Sequence, residues 1–138
     1  MTQKSELGAW GEDRACEYLV DNGFKIIERN SRKPWGELDI VAKHKDGTLV
    51  FVEVKTVNNP GPSGVTAEDQ MTAAKIQKFR KAALLYAGRR PELTNDKMGW
   101  RLDLITIVVS NTEPLAAGEV ELLTKSGKSF VVKHYQNI

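Results

Sequence analysis

The apolar positions change their period several times along the chain, and each change marks an element. Over residues 6–22, Leu7, Gly11, Ala15, Tyr18 and Leu19 share one face at ~100° per residue, which predicts an amphipathic helix. Glu6, Asp13, Glu17 and Asp21 cluster on the opposite side, and Gly23 supplies the stop. Residues 24–30 form a short β-type run. Residues 31–36 read as a turn or loop, because a proline and a glycine flank Trp35. Residues 37–43 and 48–57 read as strands joined through 44–47, a hairpin. The Pro/Gly-rich segment 58–64 is expected to be a mobile loop. Residues 72–87 are predicted helical with Ile76, Phe79, Ala83 and Tyr86 as the apolar stripe, and the start could lie as early as Thr66. Residues 88–100 read as a loop, 102–109 as a buried strand, and 119–123 with 129–135 as a second hairpin.

The order is therefore αβββαβ plus a C-terminal β-hairpin, a mixed α/β domain. A chain of 138 residues fits one domain, with a core over about 6–110 and the hairpin extension over about 117–136. With 41% hydrophobic and 28% charged residues, the composition argues against global disorder. No apolar run is long enough to span a bilayer, and the N-terminal residues lack a signal-peptide core, so no membrane partner is expected. Cys16 is the single cysteine, which excludes a disulfide framework and a CxxC site and suits a reducing, cytoplasmic compartment.

The first hairpin carries the candidate chemistry. A three-residue loop ending in Gly47 pairs residues whose numbers sum to 92. Asp39 then faces Glu53 and Glu37 faces Lys55, all on one side of the sheet. A two-residue turn at Asp46-Gly47 would instead set Asp39 opposite Val54. Two carboxylates facing each other at ~4 Å repel by about 4 kcal/mol at an effective dielectric near 20. A proton, the Lys55 ammonium or a divalent cation must offset that. An all-oxygen donor set suits Mg²⁺ or Mn²⁺ rather than Zn²⁺. The competing reading is an ordinary solvated strand face. On the first helix, Glu12 lies at the rim of the buried face beside Gly8, Ala15 and Leu19, where a carboxylate needs a partner. A nearby arginine or a backbone amide could equally supply one, and Gly8 and Gly11 would let a neighbouring strand approach closely.

Gly11-Glu12, Gly36-Glu37-Leu38-Asp39 and Phe51-Val52-Glu53-Val54-Lys55, in this order, resemble the YraN-like family of predicted bacterial endonucleases. That family is related to archaeal Holliday-junction resolvases of the PD-(D/E)XK, restriction-endonuclease-like superfamily. The likeness runs from about Gly8 to Val109 and takes in Asn30, Arg32, Arg101 and Asp103. Leu38 stands where the superfamily motif usually has proline. The resemblance implies the αβββαβ core and assigns roles. Asp39, Glu53 and the Val54 carbonyl would ligate Mg²⁺, and Lys55 would orient or deprotonate the attacking water. Glu12 would complete the metal site or bind a second ion. It also implies a bacterial cytoplasmic protein with nucleic acid, DNA first, as its partner. Related resolvases pair to match a two-fold junction, so a homodimer is open.

Lys75, Lys78 and Lys81 lie off the apolar stripe of the second helix and are candidates for phosphate contacts. Arg32 and Lys33 are similar candidates, and Trp35 could stack on a base or pin its loop to the core. Arg101 and Asp103 read as a structural ion pair, Cys16 as inert, and His44 and His134 lack ligand partners at useful spacing. The net charge of +2 hides segregation. Residues 1–24 hold two Lys/Arg against five Asp/Glu, whereas residues 70–101 hold eight against two. A Mg²⁺-dependent DNA endonuclease is the first expectation, with branched DNA or repair and recombination intermediates as candidate substrates. A non-catalytic nucleic-acid-binding module and a protein–protein adaptor are the alternatives.

Overall fold

The computed structural model describes residues 3–58, 71–110, 120–123 and 129–138. The elements are α1 (Gln3–Asp21), β1 (Phe24–Lys33), β2 (Gly36–His44), β3 (Leu49–Asn58), α2 (Ala73–Arg89), β4 (Trp100–Ser110), β5 (Val120–Leu123) and β6 (Ser129–Tyr135). The strands form one sheet in the order β1-β2-β3-β4-β6-β5. Only β3 and β4 pair in parallel, so the sheet is mixed. Strand side chains alternate faces, and each face receives one helix. Ile40, Ala42, Val50 and Val52 pack with Ala15 and Leu19 of α1. Val41, Leu49 and Phe51 pack with Phe79, Ala83 and Tyr86 of α2. The expected αβββαβ order is present, and the C-terminal strands widen the sheet beyond β4. Among the described residues, no helix is long and apolar enough to cross a membrane.

The register of the β2–β3 hairpin is the one that places numbers summing to 92 in pairs, from Lys43↔Leu49 to Ile40↔Val52. The turn holds it: Thr48 N–H donates to the Asp46 carboxylate at 2.8 Å and Gly47 N–H to the His44 carbonyl at 2.9 Å. Helix α2 starts at the nearer of the two expected places, with the Thr72 hydroxyl accepting from Lys75 N–H at 3.2 Å.

Four expectations need correction. Residues 31–36 are not a loop: β1 continues through Lys33, and only Pro34 and Trp35 turn the chain into β2. Ser31, Arg32 and Lys33 lack apolar alternation, and pairing with Leu38, Glu37 and Gly36 is what makes them a strand. Helix α2 runs through Gly88 to Arg89 rather than ending at Ala87. Of the two α1 glycines expected to admit a strand, only Gly11 does so, and Gly8 faces open space. Of the loop expected over 58–64, Asn58 instead ends β3, where it pairs with Val109; the rest of that loop and the turn of the last hairpin lie outside the described residues.

A methyl group on Gly11 would overlap the Thr56 hydroxyl of β3, so α1 sits on the sheet at a distance only glycine permits. Gly11→Ala is therefore expected to destabilise the fold by about 1–3 kcal/mol through overpacking, despite the better helix propensity of alanine. A thermal melt checks this; an unchanged or higher melting temperature would mean that α1 can shift freely.

The expected Arg101–Asp103 ion pair is present, at 3.0 Å, inside a larger cluster. Asp103 is fully buried. It also meets His134 Nε2 at 2.7 Å and accepts the Asn137 N–H at 3.0 Å. A carboxylate only accepts, so Nε2 carries the hydrogen, and in the neutral ring Nδ1 accepts from the Tyr18 hydroxyl 3.1 Å away. His134, without an obvious partner in the sequence, thus ties α1, β4 and β6 together.

Candidate active site

Asp39 is where β2 and β3 part. The ladder ends at Ile40↔Val52. Val41 and Leu38 both belong to the α2-side core although three positions apart, so strict alternation fails between them. The Asp39 carboxylate instead reaches across to β3 and accepts the Val54 N–H at 2.9 Å. A strand residue presents its N–H and its C=O to the same edge. The Val54 carbonyl therefore faces the Asp39 side, where no ladder partner continues.

Glu53 and Lys55 lie two apart on β3, so they share a face, and the Lys55 ammonium stands 3.4 Å from Glu53. Both are half-buried. Burial, then the charge of Asp39, pushes the Glu53 carboxyl up to about 7, against the pull of Lys55. Burial likewise raises the Asp39 carboxyl, opposed by the Val54 N–H, Arg32 and Lys55. The expected repulsion between the two acids is thus present, together with a partial remedy. Glu37 shares the cleft with Lys55 as expected, although the ladder ends before the two pair directly, and its carboxylate pairs with Arg32 at 2.9 Å.

Glu12 is buried, and Arg29 approaches it at 3.5 Å while holding Asp13 at 2.7 Å. Its Oε1 has no hydrogen-bond partner. Burial and the charge of Asp39 raise its carboxyl above the usual range. Among the described residues, however, no three His, Cys, Asp or Glu side chains form a set that could hold one ion. Glu12 lies outside the cleft lining, and the charge of Asp39 still reaches it there.

Asp39, Glu53 and Lys55 open into a cleft of about 660 Å³, lined also by Trp35, Gly36 and Glu37 and by Lys75, Lys78, Phe79 and Lys81 of α2. Of the basic candidates, Lys75, Lys78 and Lys81 line it, whereas Arg32 and Lys33 do not. Arg89 went unnoticed in the sequence because its segment reads as a loop; α2 carries it over the Trp35 ring, 5.2 Å from the centroid. Two carboxylates beside a strand carbonyl suit a hard cation such as Mg²⁺, which keeps several waters and takes only one or two protein carboxylates. Cys16 is held as the thiol by burial, in keeping with an inert role.

These features define a mixed α/β domain whose topology is consistent with a restriction-endonuclease-like core, bearing an acid–acid–lysine cleft. The chain belongs to the YraN-like family UPF0102, described as an uncharacterised protein family, whose model matches residues 11–107. The matched span contains Glu12, Asp39, Glu53 and Lys55 and ends before β5 and β6. A UPF0102 protein of Syntrophotalea carbinolica is 44% identical over 105 residues, 76% of this chain and 80% of that protein. One from Syntrophomonas wolfei is 40% identical, covering 77% and 87%. One from Corynebacterium efficiens is 38% identical, covering 80% and 84%.

Proposed function

We propose that the protein is a metal-dependent endonuclease that hydrolyses phosphodiester bonds in DNA. The observation that carries this reading is the pair of half-buried carboxylates, Asp39 and Glu53, set beside Lys55 in a lysine-lined cleft. Burial leaves both carboxyls raised there, and a divalent cation would offset both. Asp39, Glu53 and the Val54 carbonyl would hold Mg²⁺ or Mn²⁺, with Glu12 tuning the charge at Asp39. Such an ion supplies a more acidic bound water and neutralises charge developing on the phosphate. Lys55 would orient the water and hold or release a proton beside the phosphate. Lys75, Lys78 and Lys81 would grip the flanking phosphates, the part of the affinity that weakens with salt.

The Arg29–Glu12 contact favours a second reading, a nucleic-acid-binding module in which the acids are structural. A panel of labelled duplex, single-stranded, flap and four-way DNA with Mn²⁺ separates the two. Lys55→Ala is expected to lower cleavage by roughly 10²–10⁴-fold, the usual weight of a positioned proton-transfer group. Equal cleavage by mutant and wild type would remove the catalytic assignment. Salt-sensitive binding without cleavage would favour the module.

A further inference from the structure

We propose that the Trp35–Arg89 stack is a seat for an unpaired base, so that the substrate presents at least one unstacked nucleotide next to the phosphate held in the cleft. The inference rests on the nuclease reading and gives it a substrate class.

Trp35 occupies the tip of a two-residue turn, an unusual place for the largest apolar side chain, and it stays only half-buried there. The turn is not free to move with it. Gly36 lies so near α2 that a Cβ on it would stand 2.5 Å from the Ala82 Cβ, which docks the turn on the helix. The ring is therefore held in place before any ligand arrives, and little ordering cost attends its use. Arg89 lies over the ring at 5.2 Å, a cation–π contact. Trp35 also lines the cleft that holds Asp39, Glu53 and Lys55, together with Lys75 and Lys78. An aromatic plane beside a row of cations is the arrangement that binds single strands, with base on ring and phosphate on lysine. Within a duplex both faces of a base are already stacked, so the ring has access only to a base that has left the stack. A cleft of about 660 Å³ falls in the small-ligand range and has room for a nucleotide.

The test is fluorescence anisotropy without divalent metal, at low salt, so that binding is read apart from cleavage. The probes are a labelled single-stranded 12-mer, the same strand lacking its central bases, and the matching duplex. Trp35→Leu keeps an apolar anchor but removes the aromatic plane. It is expected to weaken single-strand binding by roughly 5- to 100-fold, to leave duplex binding and melting temperature unchanged, and to bind the base-free strand as wild type does. Trp35→Phe should restore most of the loss. Unchanged single-strand affinity in Trp35→Leu would overturn the proposal while leaving the cleavage reading standing. An equal loss on strand and duplex would overturn it in the same way. Wild-type protein that binds neither form would overturn both.

Discussion

Asp39→Asn is expected to make the metal-free protein more stable at pH 8 and to abolish its stabilisation by Mg²⁺. The reasoning starts from Glu53, whose carboxyl is pushed up from 4.5 to about 7, by burial first and by the charge of Asp39 second. Between those values the folded carboxyl keeps a proton that the unfolded one has lost. Stability therefore falls as pH rises through that window, and the loss, on the order of 3 kcal/mol, is complete above the folded value. Asparagine removes the Asp39 share of that strain. Its Oδ1 still accepts the Val54 N–H, so the β2–β3 junction survives. A gain of about 1–2 kcal/mol follows, a rise in melting temperature of roughly 3–8 °C for a chain of this length.

Wild-type protein should instead gain about 1.4 kcal/mol from Mg²⁺ at tenfold its dissociation constant. The gain should be larger at pH 8 than at pH 6, because the ligands must lose their protons to bind. Thermal melts of both proteins, with and without Mg²⁺ at the two pH values, measure all of this. A metal-free variant less stable than wild type, with an undiminished Mg²⁺ shift, would show that the two acids neither strain the fold nor bind the ion.

The second large effect lies outside the cleft lining. Asp103→Ala is expected to cost about 3–5 kcal/mol, because it leaves Arg101 and His134 without their shared acceptor inside the core. That corresponds to a fall in melting temperature of roughly 10–20 °C. Burial alone would raise the Asp103 carboxyl, but hydrogen bonds from His134, Arg101 and the Asn137 N–H overcome it and hold it below 3.8. A depressed carboxyl contributes stability that is present above its unfolded value and is lost as pH falls through the folded one. Asp103→Ala should therefore flatten the acid limb of the stability profile as well as lower its plateau. A drop of only a few degrees, with the acid limb unchanged, would mean that the cluster adds little beyond packing.

The comparison of pattern with structure has a physical logic, visible in single residues. The β2–β3 register was legible because a short turn around Asp46 and Gly47 leaves few ways to pair the flanking strands, and one face had to be buried. The faces of α1 and α2 were legible for the same reason, as was Thr72 at the start of α2. What placed Asp39 near Glu53 and Lys55 was thus local information. The continuation of β1 through Lys33 was not legible, because polar edge residues become a strand only when a neighbour pairs with them.

The chain pattern by itself determined the element order, the two helix faces and the chemistry of the hairpin, since each depends on residues within about a dozen positions of one another. The tertiary structure alone decided three further things. It splayed β2 from β3 so that the Asp39 carboxylate meets the Val54 N–H. It set Arg29 against Glu12, and Arg89 over Trp35. It also joined Tyr18 to His134 across 116 positions, with Asp103 beyond. Those contacts depend on which strands become neighbours and which helix covers which face. Side-chain periodicity reports burial, but it carries no record of the partner.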